Sequence, residues 1–286
     1  LDDGLTELVR TKLRDEDKGL KGKTVECYVG AADLDWSDYI LVTTQIVEEA
    51  GYNESKYSVS CADIQRRMRE DIFAIRETAL ASTLEPGDTT VEVFTTSGFE
   101  ARHQPNIPGT DAPGQKIGYI KVEQGEEFEI IRWESKTDSA FTNCTRGVLG
   151  TQPLRVEKTG DTDADNAPKV EEYVYLEMPA PMMAYALLTG AIYGVPGETL
   201  PERWHLGIDP VFVRTADFTG IGTDLWDPND ASKGLISRFE DLDDEDGKQF
   251  IEEQLYRMMG CYAPIFADGQ IGLRRMTGVL SQAGYV

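Results

Sequence analysis

Histidine is almost missing from this sequence: His103 and His205 are the only two in 286 residues, and neither stands in an H-E-x-x-H pattern. A histidine-based zinc site or a serine triad therefore has almost no material. G-x-S-x-G and G-x-G-x-x-G are absent as well, which removes the nucleophile elbow and the dinucleotide fingerprint. The run "GLKGKT" comes near a phosphate loop, but Asp17 stands where its first glycine belongs. The run also leads into strand-like residues, whereas a phosphate loop must open a helix. No stretch approaches the ~20 apolar residues that span a bilayer, so membrane insertion by this segment is not expected. The four cysteines, Cys27, Cys61, Cys144 and Cys261, form no C-x-x-C pair. A chain of this length needs no disulfide staples, and four reduced, mostly buried thiols are expected.

Positive charge is scarce. Against 51 acidic residues stand 28 basic ones, for a net charge of -23. Such a surface repels phosphate backbones and anionic membranes, which disfavours a conventional nucleic-acid reader but not an acidic wall that lets DNA pass without sticking. The abundance of acids makes any pairing of carboxylates uninformative, so a cell-wall hydrolase using two of them stays open as an alternative. The sequence starts at Leu1 with no charged segment and apolar run of the signal-peptide kind, and it reads as the interior of a longer polypeptide.

What is present reads as strands first. "KTVECYVG" alternates, with Val25, Cys27 and Val29 on one face, so Cys27 is expected in the core. "YILVTTQIVEE" and "KYSVSCA" supply two further strands, and three antiparallel strands are expected. In "ADIQRRMREDIFAIRE" the period changes: Ile64, Met68, Ile72 and Ile75 recur at helical spacing, with Asp63 as N-cap. Arg66, Arg67 and Arg69 then fall off the apolar stripe, as a solvated face or as a basic contact face.

From Leu84 the texture turns to short strands broken by Gly and Pro: "TTVEVFTT", "IGYIKVEQ", "EEFEIIRW" and "AFTNCTRG", a separate β module. Glu127–Trp133 and Phe141–Cys144 are expected as neighbouring strands joined through "ESKTDS", with "TRGVLGT" as the exit turn. Cys144 then sits in a strand beside a turn, without the histidine or helix N-terminus that would make it a nucleophile. Further on, "EEYVYLEMP" reads as strand, and "APMMAYALLTGAIYG" as a helix with Met183, Leu187, Leu188 and Ile192 inward, ended by Gly194. "GKQFIEEQLYRMMG" reads as a late helix burying Phe250, Ile251, Leu255, Met258 and Met259, followed by the hairpin "YAPIFADGQIGLRRM".

One metal-like spacing stands out. In "DTDADNAPKVEE", Asp161, Asp163 and Asp165 take positions one, three and five, and Glu172 position twelve, of an EF-hand-type loop. Pro168 and the lack of a preceding helix weigh toward an exposed acidic loop, with calcium as the alternative cofactor. A calcium-dependent β-rich module recognising a surface glycan is the functional reading that would go with it.

Several segments together resemble the hub or tail-tip proteins of tailed bacteriophages. They are the opening Gly22–Phe73, "PMMAYALLTG" and "WHLGID", the late helix with its hairpin, and "GEEFEIIRWESKTDSAFTNCTRGVLGT". The last is similar to a β module of phage tail proteins closed by a "TRG-x-x-GT" turn. The resemblance implies an α+β, mainly β fold of tube-type β-barrel hub domains with short helices and an inserted small β module. The expected divisions are 1–84 for the first hub part, 85–169 for the inserted module, 170–200 for the continuing framework and 201–286 for a second hub domain. It further implies a non-enzymatic virion protein without cofactor, assembled in the host cytoplasm into the tail tip. The implied partners are two further copies in a homotrimer, the tail tube or distal tail protein, the central spike or fibre, the tape-measure protein, and DNA passing through unbound.

Overall fold

The computed structural model describes residues 21–31, 34–53, 56–103, 116–158, 167–192, 197–225 and 236–276. The expected strand β1 (Thr24–Val29) pairs antiparallel with β2 (Ile40–Asn53), which pairs in turn with β3 (Lys56–Ala62). The pairing is staggered. β1 covers the first half of β2 and β3 the second, and Ile46 is opposite both Thr24 and Ala62. This sheet meets the rest of the molecule near its middle, where Thr44, Ile46 and Val47 are buried and the Thr44 hydroxyl donates to the Ala267 carbonyl at 3.0 Å. Cys27 is exposed, contrary to expectation. It faces Thr43 across the ladder, on the side away from Thr44 and Ile46. Alternation shows that a strand has two faces but not which of them the core takes.

The helix expected through Ile64–Ile75 is one short 3-10 segment, Ile64–Arg69, followed by the two-residue strand β4 (Asp71–Ile72). Ile64, Met68 and Ile72 are nonetheless buried. The backbone leaves the helical path at Phe73, which takes φ 68°, unusual for a bulky residue, and whose N–H goes to the Arg203 carbonyl at 2.8 Å. Apolar spacing was satisfied by a turn and a strand packing on one core, without a helix between them.

The middle of the chain forms two small sheets. One runs β5 (Glu77–Ala79), β12 (Lys169–Glu172), β8 (Lys116–Gln124), β7 (Arg102–His103), with β9 (Glu127–Trp133) also paired to β8; the other joins β6 (Thr90–Glu92), β10 (Ser135–Lys136) and β11 (Ala140–Thr142). They enclose Leu80, Val91, Ile120, Ile131, Trp133 and Phe141. The expected pairing of β9 with Phe141–Cys144 is reduced to a single bridge, Arg132 to Thr145. β11 pairs with β10 and β6 instead, and Cys144 lies just beyond it, buried, with its N–H on the Thr89 carbonyl at 2.9 Å.

The third part returns to the first core. β13 (Tyr175–Pro179) pairs with β14 (Ile236–Glu240) and leads into helix α1 (Ala180–Thr189), whose residues Ala180–Leu188 are all buried. A helix apolar all round belongs inside a core. It stops at Gly190, four residues before the expected Gly194, which lies outside the described residues. Gly190 is at φ 85°, and a Cβ there would lie 2.7 Å from the His205 ring, so both conformation and space require glycine. Helix α2 (Thr215–Leu225) packs on α1. β15 (Glu245–Asp246) pairs with β4, and helix α3 follows in three pieces: α-helical Gly247–Phe250, π-helical Ile251–Tyr256 and α-helical Arg257–Met259. The Asp246 side chain caps it, accepting from the Gln249 N–H at 2.7 Å. The wide turn carries Met258 to the surface, 44 % exposed rather than inward, and buries Tyr256. The expected hairpin closes the described chain, with β16 (Cys261–Tyr262) on β17 (Arg274–Arg275).

The protein is thus mainly β with a few short helices, and no sheet closes into a barrel among the described residues. Ile64, Met68, Ile72 and Phe73, before the middle sheets, share one core with Val174, Leu176 and Met178 after them.

Candidate functional site

The densest polar constellation surrounds Glu129, on β9. Its side chain is fully buried, in phase with Ile131 and Trp133. Arg146 meets it with a two-pronged contact, Nε to Oε1 at 2.7 Å and Nη2 to Oε2 at 2.6 Å. Two backbone N–H groups complete the carboxylate: Gly147 to Oε1 and Leu154 to Oε2, both at 2.8 Å. Arg146 also donates to the carbonyls of Leu154, at 2.8 Å, and Glu85. Around this pair the chain folds tightly, with Gly147, Leu149 and Gly150 at φ 61°, 53° and 86°. Thr151 locks the turn by donating its hydroxyl to the Val148 carbonyl at 2.8 Å and accepting from the Ile130 N–H at 3.1 Å. The "TRGVLGT" segment is therefore a clasp, and every oxygen of its carboxylate is spent on holding the turn to β9. An acid whose acceptor sites are filled by an arginine and two amides has nothing left for proton transfer or a metal.

A second buried pair joins the middle sheets to the larger core. Glu172, at the end of β12, receives Arg203 Nε at 3.2 Å on Oε2 and Arg203 Nη2 on Oε1, and the Arg76 N–H adds a bond of 3.2 Å. Arg203 also faces Glu100 at 3.6 Å. Burial pushes the Glu172 carboxyl above the usual carboxylate range, against the pull of the Arg203 guanidinium. The side chain read as position twelve of a calcium loop is thus committed to an arginine, while Asp161, Asp163 and Asp165 lie outside the described residues. Among the described residues no group of three or more His, Cys, Asp or Glu side chains is arranged to hold a metal ion.

The other singled-out residues scatter. Arg69 is exposed at the end of the 3-10 segment that also carries Arg66 and Arg67. Cys144 packs in the middle core, and burial pushes its thiol up to about 11, away from nucleophilic chemistry. His205 accepts the Gly207 N–H on Nδ1 at 2.9 Å, and burial holds its pKa below the usual value. A tyrosine cluster, Tyr119, Tyr173 and Tyr175, fills a smaller core, with the guanidinium carbons of Arg102 and Arg238 at 5.8 and 5.2 Å from the Tyr175 ring centre. Sequence reading missed the Glu129 and Glu172 pairings, although each acid sits at a buried strand position where only a cation would be tolerated. Compared with known protein families, curated proteins and solved structures, the chain matches none.

Proposed function

We propose that this chain is a structural protein of a phage tail tip: a hub that closes the tail tube, holds the central spike or fibre and leaves a channel for DNA. The observation that carries the reading is the Glu129–Arg146 clasp, because it gives the "TRG-x-x-GT" segment, one source of the resemblance, an architectural task in which both oxygens of the buried carboxylate are engaged by Arg146 and two backbone N–H groups. The staggered β1–β2–β3 sheet supports it further. Its outer strands offer backbone edges that a neighbouring subunit can extend, the step by which separate subunits build a tube-type barrel.

The functional unit on this reading is a homotrimeric ring, set within the virion between the tail tube or distal tail protein and the spike, with the tape-measure protein and DNA inside. A ring closes when one surface of a subunit binds a different surface of the next. With -23 per chain, like charges oppose closure, and the segment carrying Arg66, Arg67 and Arg69 is the local basic group that offsets them. Assembly is therefore expected to weaken at low salt and strengthen at moderate salt, where repulsion is screened. Imaging of the particle, with native mass spectrometry over a salt series, tests this. Copies arranged around the tail axis support the hub, and a monomer on a peripheral fibre refutes it.

A further inference from the structure

The middle sheets are joined to the larger core by two strands that cross side by side. On the way in, Phe73 and Ile75 pack with the larger core and Leu80 with the middle one; on the way out, Val170 belongs to the middle core and Val174 to the larger. At the crossing the two strands hold each other. The Glu172 N–H donates to the Arg76 carbonyl at 2.7 Å, and the Arg76 N–H to Glu172 Oε2 at 3.2 Å. Arg203, beside the buried Trp204 of the larger core, grips both strands. Its carbonyl accepts the Phe73 N–H at 2.8 Å, and its guanidinium takes both oxygens of Glu172, Nε to Oε2 at 3.2 Å and Nη2 to Oε1. Beyond this neck, the described contact between the two parts centres on a small cluster of Ile117, Tyr119 and Ile130 against Tyr173 and Tyr175, with the surface ion pair Lys116–Glu198 at 3.1 Å. A small aromatic and ionic contact permits relative motion, whereas a broad aliphatic one would forbid it.

Arg203 has a choice of two carboxylates. Glu172 is buried, and burial pushes its carboxyl above the usual range, so keeping it there carries a desolvation cost that outward movement relieves. Glu100, beside Phe99 of the middle core, stands 3.6 Å from Arg203 Nη1, and its side chain is 53 % exposed. An arginine between a buried acid and a solvated one has two discrete seats, which is what a switch needs and a fixed joint does not. We propose that the paired crossing is a hinge and Arg203 its latch: with the guanidinium on Glu172 the middle sheets are fixed on the larger core, and with it on Glu100 alone they turn as a unit about Arg76 and Glu172. Both cores stay folded through the motion. The small tyrosine cluster and the Lys116–Glu198 pair separate as it opens. The inference stands on the contacts of the neck, apart from the hub reading.

The test uses the full chain with spin labels at Asp138→Cys, in the middle sheets, and Glu253→Cys, on α3, over Cys27→Ser and Cys61→Ser. Both labelled positions are exposed, and the remaining Cys144 and Cys261 are buried. Pulsed electron resonance reads the distance between the labels. The parent should show one main distance. Glu172→Gln and Arg203→Lys should each raise a second distance at least about tenfold relative to the first. Adding Glu100→Gln to Glu172→Gln removes the second seat of the latch and should lower that population again, by about two- to fivefold. Hydrogen exchange shows whether the cores survive: the amides of Cys144 and Ile208, one in each part and bonded to the Thr89 and Leu188 carbonyls at 2.9 Å, should stay as protected as in the parent. A single distance unchanged by Glu172→Gln and Arg203→Lys would overturn the hinge. Loss of protection at Cys144 or Ile208 in those variants would make the pair a staple of the fold and overturn it equally. A second population that Glu100→Gln leaves unchanged or raises would overturn the latch.

Discussion

Replacing Glu129 by Gln keeps the shape of the side chain and removes its charge, which isolates what the clasp contributes. The carboxylate accepts four N–H groups: Arg146 Nε and Nη2, Gly147 N and Leu154 N. A glutamine oxygen accepts two, and its NH2 then faces the remaining donors. Two orphaned buried donors at about 1–3 kcal/mol each give about 2–6 kcal/mol. Removal of one member of a buried ion pair costs about 3–5 kcal/mol by independent reckoning. A loss of about 4 kcal/mol is expected, a large share of the ~5–15 kcal/mol that holds a domain together. With a slope of about 1–3 kcal/mol per molar urea, the unfolding midpoint of the middle sheets should fall by more than about 1 M. Hydrogen exchange gives the local readout. The amides of Val148 and Thr151, bonded to Ile130 and Val148 carbonyls at 3.0 and 3.1 Å, should open far more readily while those of α1 change least. Arg146→Lys should lie in between, since an ammonium cannot reproduce the fork. A Glu129→Gln protein within about 1 kcal/mol of the parent, with those amides still protected, would refute the reasoning.

Three further outcomes are expected. Alkylation at pH 8 should mark exposed Cys27 before buried Cys144, whose thiol, pushed up from 9.0 to about 11, should by its thiolate fraction react roughly a hundredfold more slowly than the same thiol at 9.0; peptide mapping that finds Cys144 labelled as fast as Cys27 contradicts this. Glu172, raised above its usual 4.5, binds its proton more tightly in the folded chain, so its contribution should be full below that value and fall as pH rises through the raised one; the stability of the parent relative to Glu172→Gln should decline across that window, and a rise there opposes the assignment. On α3, Met258→Glu should change stability by less than about 0.5 kcal/mol and Leu255→Ala by about 2–5 kcal/mol, since the first side chain is 44 % exposed and the second fully buried; thermal melts showing equal losses would restore a regular helix.

Elements whose pattern depends only on local period were legible in the sequence. β1, β2 and β3 lie where alternation puts them, and α1, α3 and the last hairpin begin where their periods begin. Decisions that depend on distant partners were not legible. Cys27 was assigned to the core because alternation offers two faces, and the choice is made by the hairpin at Ala267–Gly269, more than two hundred residues away. The helix through Ile64–Ile75 was lost to a backbone turn fixed at Phe73 by the Arg203 carbonyl. Met258 was misplaced by a wide helical turn that no apolar period announces.

The candidate site was half legible, and the missing half follows from one physical rule. In "EEFEIIRW", Glu127, Glu129, Ile131 and Trp133 share a parity; the face that buries the tryptophan buries Glu129 in mid-strand, while Glu127 at the exposed start escapes. A buried carboxylate without a cation is prohibitive, so the sequence owed Glu129 an arginine or lysine from a segment able to fold back on β9. "TRGVLGT" offers one, flanked by glycines that let the backbone close around it, and Arg146 Nη2 sits 2.6 Å from the acid. The same rule separates the two readings of Glu172. As an end ligand of an acidic loop it would face a cation from solvent, but as the last residue of β12 it is buried and needs a cation from the fold, and Arg203 supplies it. Each pair ties separate elements, Glu129 on β9 to the Arg146 turn within the middle sheets and Glu172 on β12 to Arg203 across to the larger core. Among the described residues, these two buried charge pairs therefore fix how separate elements of the fold are held together.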